Sequence, residues 1–333
     1  MRAFLLDAYG AIAEHVKLAE IADPTPRVDE VLIEIHAASL NPIDFKIVRG
    51  DLKRVSKYRL PRTFGFDASG VVLSAGMRAT GFKAGDAVYV RSSRDTIGTF
   101  AEKIALPEKF VALKPASASH AGAASLPLVG LTTLQGFEKV GARAGQRILI
   151  HAGAGGIGTF AVQYAKHIGL HVTSTTSSKN ADFVKSLGAD RVIAYDRENY
   201  LEQGGGYDIV YDTLGGAFTV DAFKVVKRGG AVISLSGPPD RDFARREGAG
   251  LLVRVAVWLM SRKVYAASAE SGASYCWFFT EPNGDQLREI ARLVDSGAIN
   301  PVIDREFAFD QLPAALAYLE KGRARGKVVL RVK

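Results

Sequence analysis

Glycines are concentrated directly after a β-branched apolar run of the chain. Residues 148–150 predict a buried strand, and residues 159–168, which follow the glycines, predict a helix. One glycine permits a tight turn, one lets the backbone approach a phosphate, and one lets helix and strand pack closely, while the helix N-terminus adds unpaired N–H groups. Strand, G-x-G-x-x-G turn and helix in this order predict a binding site for the pyrophosphate of a dinucleotide. The candidate residues are Gly153, Ala154, Gly155, Gly156, Ile157 and Gly158.

The segment about 20 residues beyond the glycines bears on which dinucleotide binds. Proteins that select NAD carry an acid there for the ribose 2′-hydroxyl, whereas this chain has hydroxyl groups and a cation at Thr176, Ser178 and Lys179. Nothing within that segment would repel a 2′-phosphate, so these residues favour NADPH. The alternative is an ordinary loop rich in serine and threonine, with a helix cap at Ser177 or Ser178.

The composition is that of a folded protein with room for two domains. The 333 residues are 47% hydrophobic and 23% charged, which argues against disorder. The formal charge is +8, but the basic residues are scattered among 35 acids without a basic arm, so we expect no nucleic-acid partner. Cys276 is the single cysteine, which excludes an internal disulfide and a multi-cysteine zinc site and fits a reducing compartment.

The apolar runs of the sequence are too short to cross a membrane. The N-terminal run meets Asp7 before it reaches the length of a signal peptide, and Arg254 interrupts the run from Leu251 to Met260. A span needs roughly 20 residues, so we expect no transmembrane segment and a cytoplasmic location. Two interpretations of the run from Leu251 to Met260 remain open. It could attach peripherally to a membrane, given its basic flanks, or it could cover a substrate pocket.

The order of predicted elements divides the chain into two architectures. From Arg2 to about Leu113, short β-rich runs alternate with turns, which predicts a compact and largely antiparallel β domain. From Arg147 to Leu235, strands alternate with helices, which predicts a parallel, doubly wound sheet of Rossmann type. A further strand is predicted over Ser274 to Thr280. The predicted fold class is therefore α/β.

Motifs spread along most of the chain resemble those of one protein family. The motifs are Ala38-Ser39-Leu40-Asn41-Pro42-Ile43-Asp44, Gly65-Phe66-Asp67-Ala68-Ser69-Gly70, Gly85-Asp86-Ala87-Val88, Gly130-Leu131-Thr132-Thr133, Leu187-Gly188-Ala189-Asp190 and Gly326-Lys327-Val328-Val329. In this order they resemble the medium-chain dehydrogenase/reductase superfamily, specifically its zinc-free quinone oxidoreductase and enone (alkenal) reductase branch. The resemblance implies a GroES-like β domain formed by residues 1–122 and 300–333, and a Rossmann NADPH-binding domain over residues 123–299.

The resemblance also bears on metal binding. In the zinc-dependent relatives a cysteine ligand stands in the region of Asn41, and a Gly-His-Glu segment matches Gly65-Phe66-Asp67 of this chain. Neither the thiolate nor the imidazole is present at these places, and a tetrahedral zinc site needs such ligands. The resemblance therefore implies that no metal takes part.

Three candidate catalytic residues follow from the resemblance. The turn that contains Asn41 and Asp44 would line the site near the nicotinamide and the substrate, although an Asn-Pro pair can simply cap a helical turn. Thr132 would lie near the nicotinamide, unless its hydroxyl satisfies a helix carbonyl.

Three more cofactor-binding residues follow in the same way. Tyr195 would contact the 2′-phosphate, and Lys327 would lie near the cofactor. Phe278 belongs to an aromatic run that would back the nicotinamide, with plain core packing as the alternative.

Together these features predict an NADPH-dependent oxidoreductase that transfers a hydride to a quinone or an α,β-unsaturated carbonyl compound without zinc. The cofactor supplies the hydride chemistry, and the protein orients and polarises the small-molecule acceptor. The alternative is a non-catalytic NADPH-binding protein of the same scaffold, with a structural or RNA-binding role. The aromatic strand predicted over Ser274 to Thr280 would leave an exposed sheet edge, so we also expect a homodimer joined there.

Overall fold

The computed structural model describes residues 1–53, 58–246, 248 and 250–333, which form two compact units. The first unit comprises Met1–Leu131 and Glu281–Lys333, and the second comprises Thr132–Thr280. The resemblance implies boundaries at 122/123 and 299/300, and the second unit ends earlier than 299 because a helix beginning at Gly284 packs in the first unit. There the Tyr89 hydroxyl donates to the Leu287 carbonyl, and Asp295 accepts the Ser117 N–H at 2.9 Å.

The helices and strands have the following bounds within the described residues. The strands are β1 (Arg2–Leu6), β2 (Val16–Glu20), β3 (Glu30–Leu40), β4 (Arg62–Thr63), β5 (Asp67–Ala75), β6 (Ala87–Arg91), β7 (Lys103–Pro107), β8 (Val111–Leu113), β9 (Arg147–Ile150), β10 (His171–Thr176), β11 (Arg191–Ala194), β12 (Tyr207–Asp212), β13 (Val226–Ser234), β14 (Ser274–Cys276), β15 (Ile303–Ala308) and β16 (Lys327–Arg331). The helices are α1 (Ile12–His15), α2 (Pro42–Arg49), α3 (His120–Ala124), α4 (Pro127–Lys139), α5 (Gly156–His167), α6 (Ala181–Ser186), α7 (Ala217–Val225), α8 (Phe243–Arg246), α9 (Leu251–Ser271), α10 (Gly284–Asp295) and α11 (Leu312–Glu320).

The first unit is built on a mostly antiparallel sheet. Its strands run in the order β15-β16-β3-β5-β6-β8, and β7 pairs with β3. β16 pairs in parallel with β15 and antiparallel with β3, so the last strand of the chain lies inside the sheet. A smaller sheet has the order β2-β1-β4. Phe4, Ile33, Phe66 and Leu330 belong to the common core of this unit, and the predicted GroES-like β domain is confirmed.

The second unit is built on a parallel sheet in the order β11-β10-β9-β12-β13-β14. Ile148 and Ile150 of β9 pack in one apolar layer with Val162 of α5, whereas Leu149 packs in the opposite layer with Phe223 of α7. A strand covered by helices on both faces is apolar at every position rather than at alternate ones. The predicted doubly wound Rossmann sheet, and with it the α/β fold class, is confirmed.

Two local predictions differ from the structure. α5 begins at Gly156 rather than at Thr159, because two glycines of the turn already belong to its first helical turn. β14 ends at Cys276 rather than at Thr280, because Trp277 and Phe279 pack edge-on against Phe243, with centroid distances of 4.9 and 5.5 Å.

The segment beyond Gly250 forms the 21-residue helix α9, whose first half is apolar and exposed. None of the helices within the described residues is long and apolar enough to cross a membrane.

Candidate functional site

The glycine turn of the second unit leaves no room for side chains at two of its positions. A Cβ on Gly153 would overlap Ser174 Oγ of the neighbouring strand, and a Cβ on Gly158 would overlap the Ala152 carbonyl. A Cβ on Gly155 would meet only that carbonyl, at 3.3 Å, so the backbone at Gly155 faces open space. Two glycines therefore allow close packing and the third leaves the turn open to a ligand.

The turn delivers unpaired N–H groups to this open side. Gly155 caps α5, so the N–H groups of Gly156, Ile157 and Gly158 lie in the first helical turn, where no acceptor exists within the helix. Ala154 is buried beside them. Unpaired N–H groups and the positive end of the helix dipole suit an anion such as a pyrophosphate.

His151, directly before the turn, has a structural environment. Its ring is fully buried, Nδ1 lies 3.1 Å from Thr175 Oγ1, and the ring packs edge-on against Tyr200 at 4.8 Å. Burial lowers the pKa of His151 to about 4, so the imidazole is neutral at neutral pH. It fixes the end of β9 rather than offering a charge to a ligand.

The predicted 2′-phosphate residues lie at the adjacent ends of β10 and β11. Thr176 ends β10 and is buried, whereas Tyr195 follows β11 and is 65% exposed. The Tyr195 N–H donates to the Thr176 carbonyl at 3.0 Å, which ties the two strand ends together. Lys179 is exposed, and no ion pair is recorded for it within the described residues.

An acid that the sequence argument overlooked also lies at these strand ends. Asp196 accepts the Ser178 N–H at 2.7 Å and the Ser178 hydroxyl at 2.6 Å. These hydrogen bonds hold the pKa of Asp196 below its usual range, so a carboxylate stands beside Ser178. Although residues 174–180 contain no acid, a negative charge is therefore still present beside Ser178. The feature that could have pointed to Asp196 is the parallel pairing of β10 with β11, which aligns the carboxyl ends of the two strands.

Thr132 and Phe278 both connect α4 with the chain that follows β14. The hydroxyls of Thr132 and Thr280 are 2.7 Å apart. The Phe278 ring lies against Gly136, where an added Cβ would come within 3.3 Å of it, and Lys139 Nζ is 5.4 Å from the ring centroid. These contacts position both side chains, and their roles toward a cofactor stay predictions.

In the first unit, Asn41, Asp44 and Lys327 come together around a residue not among the candidates, Asp67. Asn41 caps α2, its N–H donates to Asp44 Oδ2 at 2.6 Å, and its side-chain amide donates to Asp67 Oδ2 at 2.9 Å. The Lys327 ammonium donates to Asn41 Oδ1 and, at 3.0 Å, to the Leu40 carbonyl. Lys327 Nζ also lies 3.6 Å from Asp67 Oδ2. The four side chains are buried and form one network.

Burial dominates the titration of this network. It raises the pKa of Asp44 to about 8, against the opposing hydrogen bond from the Asn41 N–H. It also raises the pKa of Asp67, where the Lys327 ammonium is the largest opposing influence, and it lowers the pKa of Lys327. Asp44 Oδ1 has no hydrogen-bond partner within the described part of the chain. Lys327 Nζ and Asp67 Oδ2 thus lie at ion-pair distance, beside an Asp44 whose raised pKa favours its protonated form at neutral pH.

The network limits what its members can offer a ligand. Lys327 has two acceptors and a carboxylate around its ammonium, so its charge is already balanced inside the protein. Asn41 uses its carbonyl oxygen and one amide hydrogen within the network, which leaves the second amide hydrogen. Asn41 is thus held rigidly with one donor still to give.

The described residues contain no group of three or more His, Cys, Asp or Glu side chains arranged to hold a metal ion. Asn41 and Asp67 lie together, and the cation next to them is the Lys327 ammonium.

Comparison with known families matches both parts of the chain. Residues 27–116 match the alcohol dehydrogenase GroES-like domain, and residues 187–330 match the zinc-binding dehydrogenase family.

Individual relatives match over nearly the whole chain. A 2-methylene-furan-3-one reductase of Solanum lycopersicum is 36% identical and covers 99% of this chain and 79% of the relative. An NADPH-dependent alkenal/one oxidoreductase of Arabidopsis thaliana chloroplasts is 33% identical with the same coverage. The solved quinone oxidoreductase of Coxiella burnetii has a TM-score of 0.86 and 30% identity, covering 100% of this chain and 99% of that one.

The buried Asp44 carboxyl makes the stability of the protein pH-dependent. Its pKa is 3.8 when exposed and about 8 in the folded protein, so the folded state keeps a proton that the unfolded state has released. The stabilisation is fully present below about pH 4 and is lost as the pH rises through 8. Asp44→Asn cannot titrate. Relative to this variant, the free energy of unfolding of the wild type should fall with a slope of up to about 1.4 kcal/mol per pH unit.

Urea denaturation between pH 5 and pH 9 measures this difference. Asp29→Asn, which changes an exposed carboxyl of the same unit, is the control and should follow the wild type. Parallel profiles of the wild type and Asp44→Asn would show that Asp44 titrates normally.

Proposed function

Because the chain belongs to the zinc-free quinone oxidoreductase and alkenal/enone reductase branch of the medium-chain dehydrogenase/reductase superfamily, we propose that it is an NADPH-dependent reductase of quinones or α,β-unsaturated carbonyl compounds. The observation that carries this proposal is the glycine turn between β9 and α5. Its close packing at Gly153 and Gly158 and its open face at Gly155 suit a pyrophosphate.

Residues of the second unit would hold the cofactor. The turn residues Gly153 to Gly158 would donate N–H groups to the pyrophosphate, and Thr176, Ser178, Lys179 and Tyr195 would surround the 2′-phosphate. Lys179 supports NADPH because its ammonium is exposed and unpaired within the described residues, whereas Asp196 opposes it. We propose that Lys179 outweighs Asp196, since Ser178 already binds that carboxylate with two hydrogen bonds.

The acceptor needs a donor for the oxygen on which negative charge develops. The nicotinamide supplies a hydride when it is bound, and the protein supplies orientation and polarisation. Asn41 suits the second task, because its remaining amide hydrogen is held in place by Asp67 and Lys327. Asp44 would support Asn41 through its backbone N–H, and Lys327 would position the Asn41 carbonyl.

The names of the relatives support both classes of acceptor. The Solanum lycopersicum and Arabidopsis thaliana relatives are named for conjugated carbonyl compounds, and the Coxiella burnetii protein for a quinone. Both classes accept a hydride at an electron-poor carbon conjugated to a carbonyl, so one site can serve either. We further propose that no metal takes part and that the protein acts in the cytoplasm.

We also propose a homodimer joined at β14. β14 is the last strand of its sheet and pairs with β13 on one side only within the described residues. An unpaired strand edge is open to pairing with a second copy. Light scattering at micromolar concentration should give twice the chain mass, and a monomer would contradict this part of the proposal.

The proposed activity is tested by oxidation of NADPH with a panel of quinones and enones, with and without a chelator. We expect turnover with at least one acceptor class, no loss on chelation, and no stoichiometric zinc in elemental analysis. NADPH binding without turnover on any acceptor would favour the non-catalytic alternative. One zinc per chain, lost together with activity, would refute metal independence.

Two variants test the assignment of the 2′-phosphate site in opposite directions. Lys179→Ala should weaken NADPH binding by roughly tenfold or more, because a charge-assisted hydrogen bond is lost. Asp196→Asn should tighten NADPH binding by up to about fivefold, because an exposed repulsion is removed. NADH binding should change little in both variants, since NADH has no 2′-phosphate.

Fluorescence titration of each protein with NADPH and NADH provides the measurement. Lys185→Ala, which removes an exposed lysine from α6, is the matched control. Equal weakening of both cofactors in Lys179→Ala would mean that the lysine holds the loop rather than the phosphate.

A further inference from the structure

The first half of α9 exposes an unusual amount of apolar surface. Leu251, Leu252 and Met260 are 72%, 87% and 64% exposed, and Trp258 and Leu259 are each 50% exposed. Val253 and Val255 are exposed as well. Scattered apolar residues on a surface are ordinary, but a contiguous set of this kind marks an interaction site. We call residues 251–260 the apolar tip of α9.

The exposure of the apolar tip belongs to a helix that is firmly packed elsewhere. Val257, Ser261 and Val264 are the buried residues of α9, and Val264 joins the core formed with Val232 of β13. Gly272 ends the helix in the left-handed conformation, and its N–H donates to the Ser268 carbonyl at 3.0 Å. The buried stripe thus fixes the helix while the opposite face of its first turns stays uncovered.

Exposed cations surround the apolar tip. Arg254, Arg262 and Lys263 are exposed, and the structure records no ion pair for them within its described residues. The sequence has no acid from Leu251 to Ala269. By contrast, Arg246 pairs with Asp240 at 2.6 Å in the preceding helix. The tip is therefore an apolar surface flanked by cations for which no described residue forms an ion pair.

We propose that the apolar tip of α9 docks the protein on an anionic lipid bilayer. Helices that lie at a membrane interface combine an exposed apolar face containing Trp or Leu with Lys and Arg that meet anionic headgroups. The apolar residues occupy about 15 Å of the helix axis, and Arg262 and Lys263 follow within the next turn. The apolar side chains would enter the headgroup boundary, and the cations would contact lipid phosphates. The proposal does not depend on the reaction that the protein catalyses.

Charge argues against a second copy of the chain as the partner of this surface. A two-fold interface places the same patch on both subunits, so Arg254, Arg262 and Lys263 would face the same cations. No acid lies within the patch to pair with them, and like charges in a desolvated contact are unfavourable. A bilayer that contains acidic lipids supplies the missing negative charge.

Flotation with lipid vesicles tests the proposal on the full chain. The wild type should float with phosphatidylglycerol-containing vesicles at low salt, and binding should weaken in high salt and with phosphatidylcholine alone. Leu251→Gln/Leu252→Gln should weaken binding at least roughly a hundredfold. Arg262→Ser/Lys263→Ser should weaken it roughly thirtyfold.

Matched controls separate the tip from general surface effects. Met77→Gln removes an apolar side chain that is 88% exposed in the other unit, and Lys321→Ser/Arg323→Ser removes two exposed cations near the end of the chain. Both should bind vesicles as the wild type does. Every altered side chain is exposed, so we expect all variants to remain folded. Thermal unfolding checks this expectation.

Tryptophan fluorescence gives a second reading of the same surface. The chain has two tryptophans, so Trp277→Phe leaves Trp258 as the only one. Its emission should shift to the blue with phosphatidylglycerol vesicles and be quenched by brominated lipid. No flotation of the wild type, or equal binding to neutral vesicles in high salt, would overturn the proposal. So would conversion of a dimer to a monomer by Leu251→Gln/Leu252→Gln without vesicle binding, because the tip would then join two copies.

Discussion

The first unit depends on a buried charge that must be neutralised. An ammonium group can leave water only if a carboxylate and hydrogen-bond acceptors replace its hydration. Lys327 at the start of β16 finds these partners in Asp67 at the start of β5 and in Leu40 and Asn41 at the end of β3. Three strands remote in sequence are thereby held at one end of the sheet. Asp67 adds a fourth segment, since its other oxygen accepts the Leu128 N–H of α4 at 3.0 Å.

The same network shows how this chain differs from its zinc-dependent relatives around Asn41 and Asp67. Asn41 stands in the region where the resemblance to zinc-dependent enzymes implies a cysteine ligand, and Asp67 stands at the glutamate of their Gly-His-Glu segment, whose histidine is replaced by Phe66. In such enzymes a zinc ion brings positive charge and fixes the orientation of its ligands. In this chain the Lys327 ammonium performs both tasks, because it lies 3.6 Å from Asp67 Oδ2 and donates to Asn41 Oδ1. The two side chains are thus oriented by a cation that belongs to the chain itself.

How much of the structure could be predicted from the sequence depends on how far apart in the chain the interacting residues lie. The turn from Gly153 to Gly158 could be predicted with its strand and helix because all its constraints lie within about twenty consecutive residues. The contacts of Asp196 with Ser178 required knowing that β11 lies next to β10. The pairing of Lys327 with Asp67 joins opposite ends of the chain, and no local pattern encodes it. The exposure of α9 could not be decided from the sequence, since its apolar run is compatible both with an exposed face that attaches to a membrane and with a cover over a substrate pocket.

The route of the chain through the two units sets the order in which they can be completed. The second unit is one continuous segment, Thr132–Thr280, whereas the first unit needs Glu281–Lys333 as well as the N-terminal residues. Synthesis proceeds from the N-terminus at about 5–20 residues per second, so every strand of the second unit emerges from the ribosome before β16 exists. Until then the edge of β3 that β16 will occupy is unpaired, and Asp67 lacks its counter-ion. The N-terminal part of the first unit, although made first, therefore cannot reach its final structure until β16 has been made, and the edge of β3 stays open to pairing with another strand in the meantime.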